Sequence, residues 1–266
     1  MSIPPQPPLI GVFDSGVGGL SVLRALHQQL PATDLLYVAD SAHAPYGERS
    51  DEFITARTHR VASHLLSQGA SMLVLACNTA TAVAAASLRE RWPDLPIVAV
   101  EPGLKPAVAL TRNGRIGVMA TPATLRSDKF RRLLTAHGSG IDVHLQPCPG
   151  LAGAIEQGNG QDTALLALIE QFTQPLKRAG VDTVVLGCTH YPFVASQIRA
   201  AFASEVTLVD TADAVARQAT RLLGPSTRNA ASRRVCLQTT GDAPRLARLA
   251  RHWLPFDCEV AAAPGL

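Results

Sequence analysis

The sequence has few of the features that nucleic-acid-binding or membrane proteins require. Its 266 residues include two Trp, three Tyr and seven Phe, and its 24 basic and 21 acidic residues are interspersed, with a net charge of +3. Without a basic stripe and aromatic side chains for base stacking, we expect no nucleic-acid partner. No apolar run is long enough to span a membrane, and Met1 to Pro8 lacks the basic start and apolar core of a signal peptide. We therefore expect a cytoplasmic protein.

The cysteines lack the spacing of zinc sites and disulfide frameworks. The chain has five of them, at Cys77, Cys148, Cys188, Cys236 and Cys258. No two form a Cys-x-x-Cys pair, and His190, which Thr189 separates from Cys188, is the one histidine near a cysteine at ligand spacing, so we expect no metal site. An odd number of cysteines in a cytosolic chain favours free thiols.

One stretch of the chain places a cysteine where a buried strand meets a helix. Met72 to Leu75 is apolar without alternation, which predicts a strand buried on both faces of a parallel sheet. Ala80 to Trp92 is Ala-rich and free of Gly and Pro, which predicts a helix. Cys77, Asn78 and Thr79 then lie at the sheet edge where α/β proteins bind ligands. The free N–H groups of a helix start attract anions and favour a thiolate.

The same arrangement occurs a second time. Val181 to Leu186 predicts another buried strand, followed by Cys188, Thr189 and His190 and by a helix after Pro192. The two cysteines are 111 residues apart. A pair of thiols at two strand ends is a stronger indication of function than a single buried cysteine, which usually belongs to the core.

The starts of the two units also match, which indicates an internal repeat. The segment from residue 10 to Ser15 resembles the segment from residue 116 to Thr121 at an offset of 106 residues, with hydroxyl side chains in equivalent places. We predict an α/β fold of two similar facing domains related by a pseudo-twofold axis, each a mostly parallel sheet flanked by helices. The first domain comprises residues 1–98 and 209–266, the second comprises residues 99–208, and the active site lies at their interface. The last fifty residues, which show no sign of chemistry, are expected to complete the first sheet.

Two further segments place polar residues at the same predicted sheet edge. Asp14 and Ser15 precede a Gly-rich turn without the glycine spacing of a dinucleotide site or the Lys of a phosphate loop. The turn has two interpretations: a backbone that needs glycine, or a site with a carboxylate near an ammonium group or a moving proton. Tyr46 and Gly47 lie in a polar loop that either covers a ligand with a hydroxyl and an N–H group or is plain surface.

Two thiols on facing walls suit one reaction in particular. A thiolate on one side removes an acidic proton from carbon, and a thiol on the other side returns a proton to the opposite face, which inverts the stereocentre. For a useful thiolate fraction at neutral pH the cysteine pKa must fall below its usual value near 8.5, and we expect helix N-termini to contribute to that fall. The scheme needs no cofactor.

Four segments of the chain carry a specific resemblance. Phe13 to Leu20, Pro45 to Gly47, Ala76 to Ala80, and Gly187 to Pro192 resemble the signature segments of the glutamate racemases, a family within the cofactor-independent aspartate/glutamate racemase superfamily. The resemblance extends over nearly the whole chain. It implies interconversion of L- and D-glutamate, which supplies D-glutamate for peptidoglycan, with glutamate as the partner molecule. The oligomeric state stays open, a homodimer included.

The resemblance also implies roles for individual residues. Cys77 would act on the proton of the D-enantiomer and Cys188 on that of the L-enantiomer, with Asp14, His190 and Glu156 assisting. Substrate binding would fall to a set of polar residues: Asp14, Ser15, Tyr46, Gly47, Asn78, Thr79, Thr121, Thr189 and His190. The residues before Glu156 are smaller than the family pattern, and a solvated Glu at a helix end is the alternative there. Cys148, Cys236 and Cys258 match no motif and are interpreted as bystanders.

Three alternatives remain at this point. The chain is an aspartate racemase or another member of the same superfamily, or it closes on an amino acid without turnover. The third alternative is a redox switch in which Cys77 and Cys188 form a disulfide.

Overall fold

Two parallel sheets form the framework of the molecule. The computed structural model describes residues 8–157, 162–202, 205–224, 233–263 and 265–266. Within these ranges the first sheet has the strand order β10-β9-β2-β1-β3-β4, with β1 (Leu9–Asp14), β2 (Asp34–Ala39), β3 (Met72–Leu75), β4 (Ile97–Ala99), β9 (Val235–Thr239) and β10 (Glu259–Ala262). The second has the order β6-β5-β7-β8, with β5 (Arg115–Ala120), β6 (Asp142–Pro147), β7 (Thr183–Gly187) and β8 (Thr207–Val209). Every strand pair is parallel.

Helices connect the strands and flank both sheets. Those in the described ranges are α1 (Leu20–Gln29), α2 (Asp51–Ser67), α3 (Asn78–Arg91), α4 (Leu104–Leu110), α5 (Pro122–Arg126), α6 (Asp128–His137), α7 (Leu151–Gln157), α8 (Thr163–Ala179), α9 (Ala195–Ala200), α10 (Ala212–Leu223) and α11 (Ala243–Trp253). Among the described residues, no helix combines the length and the apolar character needed to span a membrane.

The two sheets repeat one topology. The order β2-β1-β3-β4 in the first sheet corresponds to β6-β5-β7-β8 in the second, so the repeat inferred from the sequence is present in the strand order. The prediction of an α/β fold with two parallel sheets is confirmed. β9 and β10 extend the first sheet beyond β2, which confirms that the C-terminal residues complete it. The expected domain boundaries fall within one residue of the ends of β4 and β8, and the division into domains stays a prediction.

Burial on both faces explains why the central strands are continuously apolar. Ile10 and Val12 of β1 pack into a cluster with α1, whereas Phe13 points to the opposite cluster, with α2 and α3. The first of these clusters also includes Met119 and Leu186 of the second sheet. One hydrophobic cluster therefore spans the two halves of the molecule.

The topology determines where a ligand can bind. The direction of the strand order reverses between β1 and β3 in one sheet and between β5 and β7 in the other. Open α/β sheets bind ligands outside the carboxyl ends of strands at such switch points. Here the loops after β1, β3, β5 and β7 lead into one cavity.

Candidate active site

A cavity of about 260 Å³ lies between the two halves and is lined by residues from both. Its walls include all but one of the residues singled out from the sequence, namely Ser15, Tyr46, Gly47, Cys77, Asn78, Thr79, Thr121, Glu156, Cys188, Thr189 and His190. Both thiols are nearly inaccessible to solvent, with Cys77 5% and Cys188 7% exposed. The arrangement thus brings two free cysteines from opposite halves to one enclosed space.

Cys77 is the N-cap residue of α3. Its Sγ lies 3.4 Å from the backbone N–H of Ala80, which donates to it, and 3.4 Å from Oγ of Ser15. Burial raises the pKa of the Cys77 thiol to about 12, and the negative charge of Asp14 contributes to the increase. The expectation of a lowered pKa is therefore wrong for Cys77 in this state. Two hydrogen bonds at a helix start do not compensate for removing a thiolate from water next to a carboxylate.

Cys188 follows β7 in a different local structure. The predicted helix after it begins at Ala195, behind a single 3₁₀ turn over Tyr191–Val194. The α-helix that follows therefore does not begin at Cys188. Nδ1 of His190 lies 3.6 Å from Sγ. The His190 ring is thus directly beside the Cys188 sulfur.

His190 and Glu156 form a buried ion pair behind Cys188. Nε2 of His190 lies 2.7 Å from Oε1 of Glu156, which also accepts a hydrogen bond from the Val17 N–H at 3.0 Å. Burial alone would lower the pKa of His190, but its hydrogen bonds with Cys188 and Glu156 raise it well above the usual value. Burial alone would raise the pKa of Glu156, but the His190 contact lowers it. The Glu156 side chain is 16% exposed, so the alternative of a solvated helix-end Glu is wrong.

Asp14 is the one predicted site residue outside the described cavity lining. It is fully buried, and its carboxylate accepts hydrogen bonds from the Gly16 N–H at 2.7 Å and from the Thr189 hydroxyl at 2.9 Å. Burial raises the pKa of Asp14, against the opposing influence of the His190 charge. In this geometry Asp14 acts on the cavity through Thr189 and through its charge near Cys77.

The Gly-rich turn after β1 allows the two halves to approach closely. A Cβ atom at Gly18 would lie 2.5 Å from Nδ1 of His190, and one at Gly16 would collide with Oε1 of Glu156. The turn needs glycine because Glu156 and His190 of the second half pack directly on it. The backbone requirement is therefore confirmed, and a role of the turn in placing a carboxylate near an ammonium group or a moving proton stays a prediction.

Tyr46 and Gly47 lie at the cavity, but the tyrosine hydroxyl is directed elsewhere. It donates a 2.5 Å hydrogen bond to Asp40, which also accepts from Arg57 at 2.8 and 2.9 Å. Asp40 is completely buried, and its pKa is lowered because the Arg57 and Tyr46 hydrogen bonds outweigh desolvation. The hydroxyl thus anchors the loop, and a contact of Tyr46 with a ligand stays a prediction. The backbone of Gly47 approaches Thr121, where a Cβ would lie only 2.9 Å from the threonine Cβ.

Hydroxyl groups join the two halves on the other side of the cavity. Oγ1 of Thr79 lies 3.0 Å from Oγ1 of Thr121, which lies 2.9 Å from Oγ1 of Thr124. Beside them, Nδ2 of Asn78 is buried with no hydrogen-bond partner among the described residues. A buried donor without a partner lining a cavity is a group that a ligand oxygen would satisfy.

Three residues at or near the cavity were missed or set aside in the sequence. Cys148, interpreted as a bystander, lines the cavity from the end of β6. Arg245 of α11 lines its mouth, although the C-terminal residues showed no sign of chemistry. Asp40 directly follows β2. A carboxylate immediately after a buried strand is the sequence feature that could have identified it as a residue near the site.

Known proteins share this arrangement. The chain is 56% identical over 215 residues to the glutamate racemase of Ectopseudomonas mendocina (strain ymp), a match that covers 81% of this chain and 82% of that protein. Glutamate racemase isoform RacE1 from Bacillus anthracis superposes with a TM-score of 0.88 at 31% identity over 97% of this chain and 98% of that chain. Escherichia coli glutamate racemase, in complex with L-glutamate and the activator UDP-MurNAc-ala, superposes with a TM-score of 0.83 at 30% identity over 96% and 99%.

A family model agrees with these similarities. The model described as Asp/Glu/Hydantoin racemase matches residues 10–219, which contain Cys77, Cys188 and most of the residues around them. The match covers most of the chain, and the chain therefore belongs to the Asp/Glu/Hydantoin racemase family.

Proposed function

We propose that this protein is a cofactor-independent glutamate racemase that interconverts L- and D-glutamate by two-base proton transfer. The observation that carries the proposal is the position of two free thiols from opposite halves in one cavity. The glutamate racemases at 50–56% identity support the choice of substrate.

The geometry supports a sequence of two proton transfers. Starting from L-glutamate, the Cys188 thiolate removes the α-proton, and the electron pair of the C–H bond remains on the substrate, delocalised into its α-carboxylate. The Cys77 thiol then donates its proton to the opposite face, which yields D-glutamate, a Cys77 thiolate and a Cys188 thiol. The raised pKa of Cys77 suits the donor role in this direction, and proton exchange with solvent restores the starting state.

The start of α3 is suited to hold the substrate carboxylate. The first N–H groups of a helix have no partner within it and attract anions, and Asn78 and Thr79 bring these groups to the cavity wall. The free Nδ2 of Asn78 adds a further donor. Donors in this position also stabilise the charge that develops on the carboxylate when the α-proton leaves.

Solvent-deuterium exchange tests the proposal directly. Each glutamate enantiomer is incubated with the protein in D₂O, and α-deuterium is followed by NMR while circular dichroism follows optical rotation. We expect loss of rotation and deuterium incorporation from both enantiomers. A protein that only binds amino acids would leave the α-proton in place.

Aspartate is the substrate that distinguishes the second candidate. The superfamily includes aspartate racemases, and the likeness to the Picrophilus torridus aspartate racemase, at 15% identity, concerns the fold alone. We expect glutamate to lose rotation and aspartate to keep it, and the reverse result would overturn the substrate assignment. Strong reductant distinguishes the redox switch, because it would break a Cys77–Cys188 disulfide. Racemisation by two free thiols should persist under the same conditions.

The cellular role follows from the product. We infer a cytoplasmic enzyme that provides D-glutamate for peptidoglycan, and a homodimer is one of the assemblies open to it. Expression of the chain should restore growth of a bacterium that requires D-glutamate, and light scattering of the purified protein measures its mass in solution. Failure of complementation by an active enzyme would contradict the cellular role without affecting the chemistry.

A further inference from the structure

Arg245 makes a contact between the two halves at the mouth of the cavity. It lies in the first turn of α11, which begins behind the N-cap Asp242 and packs on β9, β10 and α1 of the first half. Its Nη2 donates a 2.9 Å hydrogen bond to the backbone carbonyl of Glu156 in α7, which belongs to the second half. The guanidinium is the only Lys or Arg group among the described residues that line the cavity.

The bond ties the backbone of Glu156 to the first half of the molecule. Glu156 lies one residue before Gln157, the last residue described for α7. A hydrogen bond from a charged donor is stronger than one between neutral groups. Arg245 therefore caps the Glu156 carbonyl from the other half of the molecule.

The capped residue is the one that orients the histidine beside Cys188. The Glu156 side chain is held by His190 and by the Val17 N–H, and its backbone by Arg245. We propose that Arg245 is a positioning residue that fixes the backbone of α7 at Glu156, and so holds the Glu156 side chain against His190 in the geometry that Cys188 requires. The proposal deepens the proposed racemase function and rests on it for its kinetic part.

The same helix offers a matched control. Arg248 lies almost one turn further along α11, is exposed, and is outside the described cavity lining. Arg245→Met removes both the charge and the hydrogen bond to Glu156. Arg245→Lys keeps the charge and a donor group. Arg248→Met removes the same charge from a position that makes no hydrogen bond to α7 among the described residues.

The first measurement does not depend on activity. Hydrogen exchange of the peptide that covers residues 149–157 is followed by mass spectrometry in the wild type and the three variants. We expect faster exchange in Arg245→Met, a smaller increase in Arg245→Lys, and wild-type exchange in Arg248→Met. Unchanged exchange in Arg245→Met overturns the proposal, even if the wild type fails to racemise glutamate and the proposed function falls separately.

The second measurement separates positioning from substrate attraction. We expect kcat to fall about tenfold in Arg245→Met with little change in KM, since the loss is a hydrogen bond from a charged group that orients the catalytic side chains. The acid limb of the pH profile should move to higher pH, because the pKa of Glu156 rises when its carboxylate loses a neighbouring positive charge. Arg245→Lys should recover part of both effects.

Two other outcomes have a different meaning. A rise in KM alone that disappears at high salt would mean that Arg245 attracts the anionic substrate. Unchanged kinetics would mean that the cap has no catalytic consequence. Either result overturns the proposal.

Discussion

At the scale of single residues, the two thiols proposed to move protons have unequal surroundings. Cys77 lies near the buried Asp14 carboxylate, and burial and that charge favour its neutral form. Cys188 lies beside His190, whose pKa is raised by its contacts with Cys188 and Glu156 in spite of burial. The proposed proton donor of the L-to-D direction thus holds its proton, and a positive imidazolium lies beside the other thiol. In the D-to-L direction, Cys77 has to act as the base instead.

Replacement of either thiol should stop the reaction. Cys77→Ser or Cys188→Ser substitutes a hydroxyl that is a far weaker base, so we expect kcat to fall by roughly 10²–10⁴-fold or more. Each variant should still eliminate halide from one enantiomer of a halogenated glutamate analogue, since that reaction needs one base. Cys236→Ser, in β9, is the control and should retain activity. Normal racemisation by one of the cavity variants would show that the two-base mechanism is wrong.

The pH dependence of activity should report on the Glu156–His190 pair. Glu156→Gln removes the carboxylate that raises the pKa of His190, so that pKa falls and the imidazolium is lost at lower pH than in the wild type. The alkaline limb of kcat/KM should accordingly move to lower pH. The profile, together with an NMR titration of the His190 ring, measures the shift. An alkaline limb that stays in place would separate His190 from catalysis.

At the scale of structural elements, the loop after β2 depends on one buried ion pair. Asp40 binds Arg57 of α2 and the Tyr46 hydroxyl, and it accepts a further hydrogen bond from Thr240 after β9 at 2.9 Å. The loop that carries Tyr46 and Gly47 is thus tied to a helix and to the added edge of the sheet. A cavity wall built on a loop gains its rigidity from such contacts.

Breaking this ion pair should cost both stability and substrate binding. Arg57→Met leaves the Asp40 carboxylate buried without its main partner, which costs roughly 3–5 kcal/mol in comparable cases. Denaturant unfolding measures the loss, and KM for glutamate should rise because the Tyr46 turn is no longer fixed. Arg60→Met on the same helix removes an exposed arginine and should change the free energy of unfolding by less than about 0.5 kcal/mol. Equal stability of the two variants would contradict the anchoring role of Asp40.

The residues that sequence reasoning found and missed differ in a physical way. Cys77 and Cys188 were recognisable because buried strands and helices have strong local patterns, and the chain direction brings their carboxyl ends together. Arg245 was not recognisable, since an arginine on an amphipathic helix looks like any solvated charge until packing brings α11 against α7. Nor did the pattern reveal the raised pKa of Cys77, because desolvation depends on atoms from both halves. Local order was thus predictable, whereas contacts between distant segments were not.

At the scale of the whole molecule, the site exists only where two repeats of one topology meet. Each sheet contributes a switch point and a cysteine, and the shared hydrophobic cluster and the Thr79–Thr121 contact hold the halves together. Neither half encloses the cavity by itself. A ligand that fills the cavity should therefore act on the stability of both halves at once.

Thermal unfolding with and without glutamate tests this coupling. The measurement uses the Cys77→Ser/Cys188→Ser double variant, because it should not convert one glutamate enantiomer into the other while the protein is heated. At a glutamate concentration about 100 times Kd, binding adds about 2.7 kcal/mol to the free energy of unfolding, which corresponds to a rise in Tm of about 5 °C for a chain of this size. We expect one transition that moves as a whole with L- or D-glutamate and stays in place with L-lysine, whose side chain carries a positive charge where glutamate has a carboxylate. Two transitions, of which glutamate moves only one, would mean that a single half binds the substrate and that the facing thiols do not enclose it.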